Sequence, residues 1–152
     1  MKNKIILGIL LLFAVMQLFR IEKVENQEPT EMGLLLSENQ SVEITNLLQE
    51  TCFGCHSNQI IYPWYSEIAP VSWWIADHIE HGRKHLNFSE WMNYSTKTRV
   101  HKAEESWEEI EEKEMPLESY AFAHEEADLN AEERQILVDF FKSLQQKYST
   151  QK

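Results

Sequence analysis

The stretch 51-TCFGCHSNQIIYPWYSEIAPVSWW-74 contains both cysteines of this 152-residue chain and three of its five tryptophans. Cys52 and Cys55 are separated by two residues, and His56 follows the second cysteine directly. Two thiols and an imidazole within five consecutive residues can bind a metal, carry out redox chemistry or attach a prosthetic group. The rest of the sequence has to show which of these applies.

The order Cys52-Phe53-Gly54-Cys55-His56 is the attachment signature of c-type haem. Two thiols one turn apart can each add to a haem vinyl group, and the adjacent histidine can bind the iron. A thioredoxin-like dithiol needs a preceding strand, which this sequence lacks, and a zinc site needs a fourth ligand from another histidine. A structural disulfide stays open, although so short a loop gains little from closure.

Composition and charge narrow the class of protein. The chain is 43% hydrophobic, which suits one small domain plus its termini. It has 14 basic and 25 acidic residues, a net charge of −11, and most of the acidic residues fall between 104 and 133. Phosphate binding needs clustered basic side chains, so no nucleic-acid partner is expected. The 4 glycines and 4 prolines favour helices over a chain of tight turns.

The N-terminus is typical of an export signal or a membrane anchor. Two lysines precede the run 5-IILGILLLFAVMQLF-19, and charged residues follow it. The segment 20-RIEKVENQEPT-30 offers no small-residue cleavage site and no cysteine for lipid, so we expect retention as a single transmembrane anchor over residues 1–21. Fifteen helical residues rise only about 23 Å against a hydrocarbon core of roughly 30 Å, so Ile21 and Val24 would have to extend the span.

The expected orientation places the rest of the chain outside the cytoplasm, facing the periplasm, if the N-terminal lysines stay inside. A polar linker is predicted over residues 22–40 and a folded domain over residues 41–148. The membrane is thus an expected partner through the N-terminal segment.

Periodic apolar residues predict helices throughout the domain. The first is 42-VEITNLLQE-50, which leads into the cysteine pair, and the second is 70-PVSWWIADHIEHGRKHL-86, with Gly82 expected to end or bend it. The clearest helix is 128-DLNAEERQILVDFFKSLQQK-147, where Asn130 and a glutamate three residues later form a capping box. No segment alternates apolar and polar residues over strand length, so the domain is predicted to be all-α.

A methionine follows the acidic run 104-EESWEEIEEKE-114, because the next residues are Met115 and Pro116. A Met-Pro pair alone is more often a helix stop with a core methionine. After an upstream Cys-x-x-Cys-His and before a final amphipathic helix, however, a thioether at this place can be the sixth ligand of a haem iron. This order matches class I c-type cytochromes.

The chain resembles a known family, the small haem-binding domain of cytochrome c type in membrane-anchored bacterial proteins. The resemblance covers about residues 41–145 and rests on Cys52-x-x-Cys55-His56, 62-YPWYSEIAPVSWWIADHI-79, 82-GRKHLNFSEW-91, Met115-Pro116 and the final helix. It implies one haem c bound covalently through Cys52 and Cys55, with His56 as proximal ligand, inside a small all-α cytochrome c-like domain. Met115 as distal ligand is implied by cytochromes c in general.

The aromatic string is expected to pack the faces and edges of the haem, through Tyr62, Trp64, Trp73 and Trp74. Packing in the core without haem contact is the alternative for each of them. A proximal histidine normally has its other ring nitrogen held by a carbonyl, and a proline in this string, Pro63 or Pro70, could supply it.

Three further histidines, His78, His81 and His85, lie along one stripe of the second predicted helix. They could ligate a second metal or replace Met115 as distal ligand. The simpler interpretation is a partly solvated face beside the haem.

The expected function is outer-sphere electron transfer by a monohaem c-type cytochrome at the outer face of the cytoplasmic membrane, without enzymatic turnover. The acidic run could dock a basic redox protein, since charge speeds encounter. If Met115 does not bind the iron, a small-ligand sensor or a peroxidase-like protein is the alternative. If haem is never attached, the protein is a disulfide-bearing interaction module.

Overall fold

The computed structural model describes residues 1–151 and is built from helices, with no strand in that range. The all-α prediction is therefore confirmed. The eight α-helices of residues 1–151 are α1 (Lys2–Met16), α2 (Leu34–Ser37), α3 (Val42–Thr51), α4 (Phe53–His56), α5 (Val71–His85), α6 (Thr96–Glu111), α7 (Glu118–Ala123) and α8 (Ala131–Ser149). Short 3-10 turns cover Trp64–Glu67, Phe88–Asn93 and Glu125–Ala127.

Helix α8 begins at the predicted residue. The Asn130 side chain accepts from the backbone N–H of Glu133, and the Glu133 carboxylate accepts from the Asn130 N–H at 2.9 Å. This reciprocal cap satisfies two donors that a helix start leaves free. The helix then packs antiparallel on α6, as shown by Arg134 bonding Ile110 near one end of the pair.

The core lies where α3, α6 and α8 meet the turn at Phe88–Asn93. Phe88 is buried at its centre, with ring centroids 5.3 Å from Phe53 and 6.0 Å from Phe141. Both contacts are stacked, an arrangement that adds to the free energy gained by burying apolar area. This aromatic stack joins the turn that carries the cysteines to the C-terminal helix.

The chain before residue 41 also belongs to the packed domain. Leu34 is fully buried in the core, and the Gln27 N–H donates to the Asn58 carbonyl at 2.9 Å. The polar linker predicted over residues 22–40 is therefore corrected. Its composition is polar, but a few of its residues pack as firmly as those of the helices.

Glu38 is the most deeply buried carboxylate among residues 1–151. It accepts from Trp91 Nε1 at 3.2 Å and from the Tyr148 hydroxyl, and Lys147 Nζ lies 2.6 Å from its second oxygen. The negative charge of the carboxylate is thus paired with the lysine, and both of its oxygens have hydrogen-bond donors, as a buried carboxylate requires. Through its bonds to Lys147 and Tyr148, Glu38 connects the predicted linker to the end of α8.

Replacing this carboxylate, Glu38→Ala, should lower the free energy of unfolding by about 1–3 kcal/mol for each buried donor left without an acceptor. Chemical denaturation of the purified protein measures the loss. Glu50→Ala, at an exposed position on α3, is the matched control and should change stability little. Equal stability of the two variants would contradict a structural role for the buried carboxylate.

The N-terminal helix is arranged differently. None of the residues of α1 is buried, and its apolar side chains remain exposed. Within residues 1–151, no helix combines the length and the apolarity that a membrane crossing requires. Helix α1 ends at Met16, several residues before the end predicted for the anchor.

Candidate functional site

A cavity of about 500 Å³ lies between the cysteine-bearing turn, α5, α6 and the loop before α7. This volume falls in the range of roughly 300–1,000 Å³ that cofactor sites occupy. Its wall is mostly apolar, and polar side chains of α5 and α6 lie along one side. Its apolar lining includes Leu86, Phe88, Ile110, Pro116, Leu117, Leu129, Leu137 and Phe141.

The two cysteines reach this cavity from a single turn. Cys52 ends α3, and its carbonyl accepts from the backbone N–H groups of Cys55 at 3.2 Å and His56 at 3.0 Å. Tyr120 Oη lies 3.1 Å from where a Cβ on Gly54 would be, so the tyrosine covers the middle of the motif. All three motif side chains, those of Cys52, Cys55 and His56, line the cavity.

Both thiols are free, and both are kept protonated by their surroundings. Burial raises the pKa of Cys52 to about 11, against a smaller opposing effect of the Thr51 hydroxyl 3.1 Å from its sulfur. Burial also raises the pKa of Cys55. Zinc binding and dithiol redox chemistry use thiolates, which this burial disfavours.

His56 is oriented by two backbone carbonyls. Its Nδ1 lies 3.0 Å from the Gly82 oxygen and 3.1 Å from the Leu86 oxygen. Carbonyls only accept, so Nδ1 carries the proton and Nε2 keeps a free lone pair. Burial lowers the pKa of His56, which favours this neutral form. The imidazole therefore has the tautomer and orientation of a metal ligand.

This arrangement corrects the expectation that a proline carbonyl would hold the ring. The Pro63 carbonyl accepts from Ser66, and the Pro70 carbonyl accepts from Trp73 in the first turn of α5. The carbonyls that contact His56 come from the other end of α5. The Gly82 carbonyl also accepts from the Leu86 backbone N–H at 2.8 Å, so the imidazole uses its second lone pair, whereas the Leu86 carbonyl lies just past the end of the helix.

Gly82 allows α5 to approach the motif. A Cβ at this position would lie 3.3 Å from the Cys55 carbonyl oxygen and 3.4 Å from Cε1 of His56. The helix continues to His85, so the expectation that Gly82 ends it is wrong. The residue is small because the backbone passes directly beside the imidazole.

Enlarging this position, Gly82→Val, should push α5 away from His56 and cost about 1–3 kcal/mol of stability, as overpacking does. We also expect less haem in the purified protein, because the ring loses its carbonyl partners. Haem absorbance per protein and chemical denaturation measure the two effects. Glu80→Val, at an exposed site on the same helix, should change neither.

Met115 lines the same cavity from the loop after α6. Its backbone N–H donates to the Glu109 carbonyl at 3.1 Å, and its own carbonyl accepts from Arg134 Nη1 at 2.8 Å. The same Arg134 nitrogen donates to Ile110 at 2.7 Å. One guanidinium thus fixes the end of α6 and the methionine relative to α8.

The polar side chains that line the cavity include the three histidines of α5 and Lys102 and Glu105 of α6. His78 and His81 each place Nδ1 2.8 Å from a carbonyl four residues earlier in their own helix. Within residues 1–151, no group of three or more histidine, cysteine, aspartate or glutamate side chains is arranged to hold a metal ion.

The four aromatic side chains predicted to pack the haem do not line this cavity, and that prediction is corrected. Trp64 is 77% exposed, and the Tyr62 hydroxyl accepts from the Val24 N–H. Trp73 donates from Nε1 to the Phe19 carbonyl, and Trp74 packs on His78 at 4.2 Å. The physical reason is that Tyr62 and Trp73 bond to the chain that follows α1, whereas Trp64 and Trp74 lie at the solvent-exposed surface.

Sequence reasoning missed the residues that do form the apolar wall. Leu137 and Phe141 lie on the apolar face of α8, which was recognised as core without a cavity being assigned to it. Phe88 follows a short segment with little periodicity, and Tyr120 lies in α7, where no helix was predicted. The apolar stripe of α8 was the one usable signal.

Comparison with known proteins identifies a family. The model of a family described as a haem-binding domain matches residues 11–143. No curated protein and no solved structure matches the chain.

Proposed function

This chain belongs to the haem-binding domain family, and on that premise we propose that it is a monohaem c-type cytochrome that carries electrons at the outer face of the cytoplasmic membrane. The observation that carries the proposal is the meeting of Cys52, Cys55, His56 and Met115 at one apolar cavity. Residues far apart in sequence thus supply attachment and axial ligands at a single place.

The residues at the cavity fit a covalent haem. Each protonated thiol can add across a vinyl group, its sulfur bonding to one carbon and its proton going to the other, so no outside oxidant is required. His56 offers Nε2 as the proximal ligand, because Nδ1 is held by the carbonyls of Gly82 and Leu86. Haem, when bound, supplies an iron that alternates between the ferrous and ferric states.

The distal position is assigned to Met115, because its loop is fixed by Arg134 at the cavity wall. A thioether and an imidazole together favour ferrous iron and raise the reduction potential. Leu137, Phe141 and Phe88 keep water from the site, which acts in the same direction. These side chains suit electron transfer without bond making at the iron.

The redox partner is proposed to be a basic protein. The exposed face of α6 carries Glu108, Glu109 and Glu111, and the exposed Glu112 follows directly; Glu109 also lines the cavity. An acidic surface beside the cavity would bring a basic partner close to a haem bound there. Association should then slow as ionic strength rises, because salt screens surface charge.

The membrane attachment is proposed from α1, whose apolar side chains contact no core. Such a helix is stabilised when lipid covers its apolar side chains. Lys2 and Lys4, in its first turn, can extend to the lipid headgroups. Residues 1–21 would thus hold the domain at the outer face of the membrane. Bilayer thinning can accommodate a short apolar segment.

A second candidate, a small-ligand sensor or a peroxidase-like protein, is favoured by Tyr120 alone. This phenol lines the cavity, and burial raises the pKa of Tyr120 to about 12, so it stays a hydrogen-bond donor. A donor of this kind could stabilise a ligand on the iron if Met115 were displaced. Electron transfer remains the primary proposal because Met115 is held by its backbone.

The test is a visible spectrum of the full chain, expressed with haem-attachment machinery and purified in detergent. We expect a six-coordinate c-type spectrum that cycles with reductant and oxidant and is unchanged by carbon monoxide. A spectrum that shifts at once with carbon monoxide would support the sensor instead. A protein without haem would contradict both candidates.

A further inference from the structure

Six apolar side chains between Ile61 and Trp74 remain exposed and together make up what we call the aromatic surface. This aromatic surface consists of Ile61, Trp64, Ile68, Val71, Trp73 and Trp74, with exposed fractions from 36% to 86%. Scattered single apolar residues are normal at a protein surface, but so many within one short stretch mark a contact site. It is separate from the haem cavity, which none of the six residues lines.

The aromatic surface is held against the end of α1. The Gln17 side chain donates to the Ala69 carbonyl and accepts from the Ala69 N–H, both at 3.0 Å. Trp73 Nε1 donates to the Phe19 carbonyl at 2.8 Å. These bonds connect the first residues after the helix to the middle and far end of the aromatic surface.

The charged residues that follow α1 contact the same region. Arg20 and Lys23 both pair with Glu67, and Lys23 also lies 4.9 Å from the centre of the Tyr62 ring. The exposed aromatic rings therefore lie where the chain passes from apolar to charged. In a membrane protein this level corresponds to the headgroup region, where tryptophan is enriched because its ring is apolar and its N–H is polar.

We propose that the aromatic surface lies in the interfacial layer of a phospholipid bilayer and that it fixes the orientation of the haem domain on the membrane. This inference rests on the proposed attachment through α1, which brings the lipid to the correct place. The occupant is lipid because the bonds from Gln17 and Trp73 hold the end of the exposed, apolar α1 beside the exposed rings. A tether alone would leave the domain free to turn.

The orientation has a consequence for the haem. Helix α5 begins in the aromatic surface at Val71 and reaches the cavity at Asp77. Six residues of helix rise about 9 Å. The cavity therefore lies within this distance of the lipid surface, measured along the helix, and its opening keeps a constant direction relative to membrane-bound partners.

The test uses nitroxide labels on single added cysteines in the full-length, haem-containing protein, reconstituted into phosphatidylcholine vesicles. The three variants are Ile61→Cys on the aromatic surface, Leu11→Cys on α1, and Val42→Cys at the start of α3. Ile61 is 86% exposed and Val42 is 76% exposed, so they are matched controls. Unaltered protein taken through the same labelling gives the blank for Cys52 and Cys55.

Collisions with oxygen, which concentrates in lipid, are compared with collisions with a water-soluble nickel chelate. We expect labels at 11 and 61 to have an oxygen-to-nickel ratio several-fold above that at 42. A lipid signal at 11 with a water signal at 61 would overturn the inference and leave the proposed attachment standing. A low oxygen-to-nickel ratio at both position 11 and position 61 would overturn the proposed attachment as well.

Two further outcomes would also contradict the proposal. A label at 61 shielded from both reagents would indicate a protein on this surface, such as a second copy of the chain. A lipid signal at position 42 as high as at 61 would mean that the domain has no preferred orientation. Absorbance of the attached haem shows that each variant has folded.

Discussion

The double variant Cys52→Ser/Cys55→Ser is expected to lose all covalently held haem. Serine preserves the size of the side chains but forms no thioether, so any haem left in the cavity would be held by axial ligands and packing alone. Extraction of the denatured protein with acidified organic solvent separates the two cases. Colour should stay with the unaltered protein and leave the double variant.

The single variants Cys52→Ser and Cys55→Ser are the matched controls, since each keeps one thioether. Both should retain haem through the extraction, with a reduced-state band shifted by the one unreacted vinyl group. Haem that leaves the unaltered protein as freely as the double variant would contradict covalent attachment and turn the proposal towards a non-covalent haem protein of the same family.

The variant Met115→Leu should remove the distal ligand and lower the reduction potential. Leucine fills nearly the same volume, so the cost in stability should stay below about 1.5 kcal/mol. The weak long-wavelength absorption of thioether-ligated ferric haem should vanish, and carbon monoxide should bind the reduced protein. A visible spectrum and a redox titration measure these effects.

The control for this change is Met92→Leu, because Met92 also packs against the core but does not line the cavity. It should leave spectrum and potential unchanged, as should His78→Ala and His81→Ala. A spectrum that survives Met115→Leu and disappears with one of the histidine variants would transfer the distal role to that histidine.

The helices could be predicted because their signals are local. The Asn130 cap with its glutamate, the apolar stripe of α8 and the proline after Met115 act within a few residues, and α8 begins where they indicate. The packing of residues 22–40 could not be predicted, because burial of Leu34 and Glu38 depends on α8 and Trp91 far along the chain.

The candidate site also has a part that could be predicted from the sequence and a part that could not. Cys52, Cys55 and His56 are recognisable because their chemistry requires that spacing, and the structure places them at one cavity with Met115. The aromatic residues are visible in the sequence, but the sequence does not show which residues or cofactor an apolar ring packs against. Trp73 bonds the Phe19 carbonyl, a contact made only after α1 and α5 come together.

Covalent attachment of haem is tested most directly by the intact mass of the full chain, expressed with haem-attachment machinery and then denatured. Covalent attachment predicts one species, heavier than the polypeptide by one haem, and fragments that place the added mass on the segment containing Cys52 and Cys55. A polypeptide of unmodified mass, from protein that was fully coloured before denaturation, would contradict it.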